Sequence, residues 1–211
     1  MKIILNNIDT SKITSAYEMF SGCEHVKEIE LRQLKGRQIT NIAEMFCGCD
    51  KLESIDMTKL DLGNVFEAEA SFCGCTNLRK IDLSNLTTCR IDTTINMFAD
   101  CSNLEELDIS NLGTGNAFNM EGMFAGCSKL TKLDLSHFDT STVEYMSRMF
   151  SGCSSLKELD ISNFSTESIR DMSSMFRGCN ALEVIKLPED SEARELLIMQ
   201  LREANIQCRI I

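Results

Sequence analysis

The chain has little of what enzymes and nucleic-acid binders draw on. It holds two histidines, His25 and His137, in 211 residues, and neither a glycine-rich phosphate loop nor a nucleophile elbow is written in it. No catalytic residue, cofactor or metal is therefore expected, and the chain does not read as an enzyme. Positive charge is also short: 21 lysines and arginines face 32 aspartates and glutamates, for a net charge of −11. That balance works against nucleic-acid phosphates and anionic membrane surfaces, and leaves a basic protein partner open. No hydrophobic run reaches membrane-spanning length, so no membrane insertion is expected. The opening MKIILNN carries three consecutive apolar residues before two asparagines, too few for a signal-peptide core. As written, the chain reads as cytoplasmic, with a cell-surface or secreted setting as the alternative for a piece of a longer precursor.

What is present is a repeat. Phenylalanine recurs at Phe20, Phe46, Phe72, Phe98, Phe124, Phe150 and Phe176, at a constant spacing of 26 residues, and a cysteine stands three residues after each. Such self-similarity marks a solenoid, in which each unit buries its apolar face against its neighbours. The unit at 149–174 reads MFSGCSSLKELDISNFSTESIRDMSS. Its Leu156, Leu159 and Ile161 follow a leucine-rich-repeat-like L-x-x-L-x-L pattern, which predicts one short strand per coil with alternate residues inside. The inward pairs Ile3/Leu5, Ile29/Leu31, Ile55/Met57, Ile81/Leu83, Leu107/Ile109, Leu133/Leu135, Leu159/Ile161 and Ile185/Leu187 predict eight rungs in one parallel sheet.

The other half of the coil reads as a short helix. Val143, Met146, Met149 and Phe150 fall at helical spacing while Glu144, Ser147 and Arg148 face away. Glycine at 22, 48, 74, 126, 152 and 178, with Asp100 in the fourth repeat, is expected to hold a positive φ that ends each helix. After Pro188 the period breaks. Asp190 reads as the N-cap of a longer helix through about Ala204, with Ala193, Leu197, Leu201 and Ala204 on one face, and Ile206, Cys208 and Ile210 alternate as a last strand. The expected fold is thus an α/β right-handed solenoid over residues 1–187, with a parallel sheet on one face and short helices on the other. Residues 188–211 form its cap, closing an end that would otherwise expose core and strand edge.

The string MFxGCSxLxxLDxSNF at residues 149–164, nearly repeated at 123–138, resembles the repeat of the BspA-like leucine-rich-repeat surface proteins, and the likeness extends over residues 19–187. The resemblance implies a solenoid used for adhesion, with no catalytic site to carry over. The second and third repeats depart from it: EIELRQLKGRQ at 28–38 replaces the Asp-x-Ser-Asn segment, and Ser71 stands in place of methionine.

Eleven cysteines raise metal and disulfide readings. The seven periodic ones share one position and are expected to stack as buried small hydrophobes, since a column of parallel side chains does not converge on a tetrahedral ion. Cys47 and Cys73 occupy a different, more exposed position on neighbouring coils, where a disulfide is geometrically available; the odd total favours free thiols.

Asp56, Asp82, Asp108, Asp134 and Asp160 form the most regular polar column, outward on the sheet and about 4.8 Å apart. It reads as a solvated face softened by neighbouring lysines and serines, as a docking strip, or, least well, as a calcium site, which needs oxygens from several directions. The candidate partner-binding residues are Asp82, Asp108, Asp134 and Asp160 with the flanking Lys80, Glu106, Lys132 and Glu158. His137 takes the place of Asn85, Asn111 and Asn163 and reads as a surface residue. The leading function is a non-enzymatic interaction module that presents its repeat surface to a protein partner. The alternative is an acidic inhibitor or nucleic-acid mimic occupying a partner's basic groove.

Overall fold

Each coil returns its phenylalanine to the same place, so the rings record the advance per turn. In the computed structural model, which describes residues 1–5, 10–31, 34, 39–57, 60–87 and 91–211, the seven rings stack nearly parallel with centroids 5.3–6.0 Å apart. All are buried, Phe20 at the open end remaining 6% exposed. The chain is a parallel β-solenoid of about seven turns, closed by one helix and a last strand.

The strands are three residues long: β1 (Lys2–Ile4), β2 (Glu28–Glu30), β3 (Ser54–Asp56), β4 (Lys80–Asp82), β5 (Glu106–Asp108), β6 (Glu158–Asp160) and β7 (Val184–Lys186). Their central residues pair in register, Ile3 with Ile29, Ile29 with Ile55, Ile81 with Leu107, and Leu159 with Ile185. The expected inward positions do face the core, though Ile3, Leu5, Ile55, Leu107 and Leu133 are only partly buried. The single eight-rung sheet is corrected to three ladders, β1-β2-β3, β4-β5 and β6-β7 with the final strand. The rung at 131–135 has no assigned strand, and among the described residues no backbone hydrogen bond joins it to the coil on either side. Leu133 packs on the core and Leu135 is buried in it all the same, because the opposite side of each coil keeps the stack in register.

That opposite side is where the helical expectation fails. A second parallel row, Ser15, Asn41, Glu67, Thr93, Asn119, Tyr145 and Asp171, bridges coil to coil without interruption. The residues that follow form successive turns instead of a helix. The N–H groups of Met149, Ser151 and Cys153 donate three residues back, to Met146, Arg148 and Phe150, whereas those of Met146, Arg148, Phe150 and Gly152 donate to Asp171, Ser173, Met175 and Arg177 of the next coil. A helix would direct every donor four residues back along its own chain. Here the neighbouring coil supplies half of the acceptors, and an eight-residue helix has little intrinsic stability to compete. Turns of this kind bury Val143, Met146 and Met149 just as a helix would. Ser147, expected outside, is buried.

The glycine column has the expected positive φ, from 68° at Gly22 to 80° at Gly178, with Asp100 at 59°; it ends a run of turns rather than a helix. A second left-handed column stands four residues earlier, at Glu18, Glu44, Ala70, Asn96, Gly122, Arg148 and Ser174. The two together bend the turn segment around the core.

At the carboxyl end, α1 (Ser191–Glu203) is capped by Asp190, whose side chain accepts the N–H of Ala193 at 2.8 Å. It buries Ala193, Leu197 and Leu201, and Ala204 is half-buried. Asn205, at φ 56°, turns the chain into β8 (Arg209–Ile210), which pairs parallel to β7 with Ile210 beside Ile185. The capping expectation is met on both counts.

Candidate functional site

An outward position on a three-residue strand projects away from the core because its two neighbours point inward. Lys80, Glu106, Asp108, Lys132, Asp134, Glu158 and Asp160 are exposed on this face, and Asp82 is half-buried. The eight candidate residues therefore do share one surface. Residues 131–134 run between two shallow depressions of about 710 and 700 Å³. The first lies toward Lys80, Glu106 and Asp108, the second toward Glu158, Asp160 and Ile211 of the cap. Leu107 and Leu133, expected to be core, are half-buried and line these depressions, giving the charged face an apolar floor that the repeat pattern conceals.

The charges are partly matched. Lys80 and Glu106 pair at 2.8 Å, Lys186 reaches Asp160 at 3.3 Å, and Lys157 lies 3.7 Å from Glu183. All are solvent-exposed, so each pair contributes little to stability. Among the described residues Lys132 and Glu158 make no ion pair, although they stand in the same column as Lys80 and Glu106, two coils further along.

The aspartates also serve the backbone. Oδ1 of Asp82, Asp108, Asp134 and Asp160 accepts the N–H of the serine two residues on, Ser84, Ser110, Ser136 or Ser162, at 3.0 Å in each case. At Asp82 and Asp160 the serine hydroxyl donates as well, at 2.7 Å. These are Asx turns that bend the chain at the strand end. The signal was the recurrent Asp-x-Ser, which also predicts the same contact at Asp139–Ser141 and Asp171–Ser173. Hydrogen bonding holds three carboxyls below their ordinary range: the Ser84 hydroxyl and N–H act on Asp82, the Ser136 N–H and hydroxyl on Asp134, and the Ser162 hydroxyl foremost on Asp160.

Six of the seven periodic cysteines are buried, Cys23 being half-buried, and each buried thiol donates to a phenylalanine carbonyl 29 residues earlier, from Cys49 to Phe20 at 3.0 Å through Cys179 to Phe150 at 3.0 Å. The ten described cysteines are free thiols, and Cys89 lies outside the described residues. Among the described residues no three His, Cys, Asp or Glu side chains group as metal ligands, and no helix is long and apolar enough to cross a membrane.

His137 departs from expectation. Asn163, one coil on, spans its neighbour with hydrogen bonds to Leu135 and Phe138 carbonyls at 3.0 and 2.7 Å. His137 is half-buried instead of surface-exposed, with its ring edge-on to Phe138 at 5.0 Å and its Nε2 buried without a partner.

No curated protein matches the chain. Residues 1–101 and 69–186 match one family of repeats, and on that ground the chain belongs to the family described as Mycoplasma protein of unknown function, DUF285.

Proposed function

We propose that the protein is a non-enzymatic interaction module whose strand face receives a protein partner at the rung formed by residues 131–135. The observation that carries this reading is the pair of depressions beside that rung, where a half-buried leucine floor meets Lys132, Glu158, Asp108 and Asp134. Apolar floor plus unpaired charge is the composition that a partner's side chains can exploit, and a rigid repeat surface supplies the area. The coil is wound right-handed, as parallel crossovers generally are, and the resemblance to BspA-like repeats favours adhesion as the use. Partners with exposed basic residues fit the face best, six carboxylates standing against two lysines among the eight candidate residues. The mimic of a nucleic acid is the weaker reading, since Lys80 and Lys132 alternate with Glu106 and Glu158 beside the aspartate column and Lys186 follows it.

The test is capture by the immobilised full chain at low and high salt, comparing wild type with Leu133→Arg and with Phe118→Ser on the turn side. A partner lost only by Leu133→Arg and retained at high salt supports the reading. A partner lost only by Phe118→Ser places the binding surface on the other side, and collapse of all binding with salt favours the polyanion mimic.

A further inference from the structure

Cys47 and Cys73 stand outside the cysteine column just described. Each is half-buried, and they occupy one position on successive coils. Their backbones are clamped in the same way. The Cys47 carbonyl accepts the Gly22 N–H at 2.7 Å and the Cys73 carbonyl the Gly48 N–H at 2.7 Å, while their own N–H groups close turns onto Glu44 and Ala70, each at 3.0 Å. Equal backbone conformation makes the two Cα–Cβ bonds parallel and sets them one coil apart. That separation, about 4.8 Å between parallel strands, falls inside the range of roughly 4.4–6.8 Å that bonded cysteines span between Cα atoms, and the Cβ atoms, equally far apart on parallel bonds, approach slightly on closure to reach the roughly 3.5–4.5 Å of a disulfide. The residues immediately before them, Phe46 and Phe72, have the closest rings in the column, at 5.3 Å. The two thiols lie near enough for each to act on the proton affinity of the other.

We propose that Cys47 and Cys73 are a modification site, closing to an inter-coil disulfide that staples the second coil to the third when the chain meets a low-molecular-weight disulfide such as oxidised glutathione. One thiol, as thiolate, attacks a glutathione sulfur and expels one glutathione thiolate. The other attacks the protein sulfur of that mixed disulfide and expels the second. Two protein thiols are oxidised, one glutathione disulfide is reduced to two glutathiones, and the two protons given up by the protein thiols are taken up by the two expelled glutathione thiolates. Among the described cysteines the reaction is selective because the buried ladder thiols hold their protons against phenylalanine carbonyls, and Cys23 and Cys208 lie at opposite ends of the stack. Burial and the carboxylate of Glu44 raise both thiols, Cys73 to about 11, so closure is slow near neutrality and quickens with pH.

The full chain, reduced and then incubated with oxidised glutathione at increasing pH, is digested under non-reducing conditions after alkylation. The expected product is one linked peptide pair joining Cys47 to Cys73. Melting temperature should rise by on the order of 5–10 °C for a closed loop of this length, reversed by dithiothreitol. Cys47→Ser and Cys73→Ala should each abolish the link and the rise while melting like the reduced wild type, because Ser21, Ser151, Ala99 and Ala125 fill the same column elsewhere. Glutathione adducts without a link, a link through Cys23 or Cys208, full recovery of free thiols, or a link with no rise in melting temperature would each overturn the proposal.

Discussion

The carboxylate of Asp160 accepts both the backbone N–H of Ser162 at 3.0 Å and its hydroxyl at 2.7 Å. The same side chain is thus a turn former and a surface charge, and the two roles respond to different substitutions. Asparagine keeps the accepting oxygen and removes the charge. The double variant Asp108→Asn/Asp134→Asn is expected to melt within about 2 °C of wild type while binding its partner more weakly. Alanine removes the acceptor, and Asp134→Ala should cost about 0.5–1.5 kcal/mol in denaturant unfolding. Equal losses in the two variants would show that the charge, not the turn, is structural.

Acid should loosen the same turns. Folding lowers the carboxyls of Asp82, Asp134 and Asp160 below their ordinary 3.8. A group depressed in the folded state contributes stability that is present above its unfolded value and lost as pH falls through its folded value. Melting temperature is expected to decline below about pH 4 from these residues, and the decline should be shallower in Asp82→Asn/Asp134→Asn/Asp160→Asn. The check is a melting series from pH 6 down to pH 2.

The phenylalanine column predicts a gradient of cost. Phe124 is wholly buried between two rings at 5.8 Å, and Phe124→Ala should cost about 3–5 kcal/mol. Phe20 has a ring on one side only among the described residues and is 6% exposed, so Phe20→Ala should cost distinctly less. Unfolding in urea measures both.

The two left-handed columns make opposite predictions. At Gly152, φ is 78° and a Cβ would come within 3.3 Å of the Gly126 backbone; Gly152→Ala should destabilise by about 1–2 kcal/mol. At Ala70, φ is 48°, and Ala70→Gly should be neutral to stabilising by up to about 1 kcal/mol. Paired thermal melts decide whether the second column is strained.

The buried thiols are expected to act as donors as well as filler. Cys101 donates to the Phe72 carbonyl at 3.1 Å. Cys101→Ala should cost about 1–2 kcal/mol, the sum of a small void and a carbonyl left without its donor. Cys101→Ser retains a donor at similar size, and its melt against that of the alanine variant separates the two contributions.

The 26-residue recurrence of Phe20 through Phe176 determined by itself that the rings stack, that Ile81 and Leu83 lie inside with Asp82 between them, and that the chain needs a cap after Pro188. Each follows from which side chains share a face, and periodicity reports that directly. Only the tertiary structure decided where backbone donors go. Met146, Met149 and Phe150 lie at helical spacing, yet the acceptors for Met146 and Phe150 are Asp171 and Met175, 25 residues away along the chain, and no local pattern announces them. The same holds for the separation of rung 131–135 from its neighbours, which exposes part of Leu133: three-residue strands make few hydrogen bonds, so the turn-side ladder sets the stacking and the strand side opens where that ladder permits.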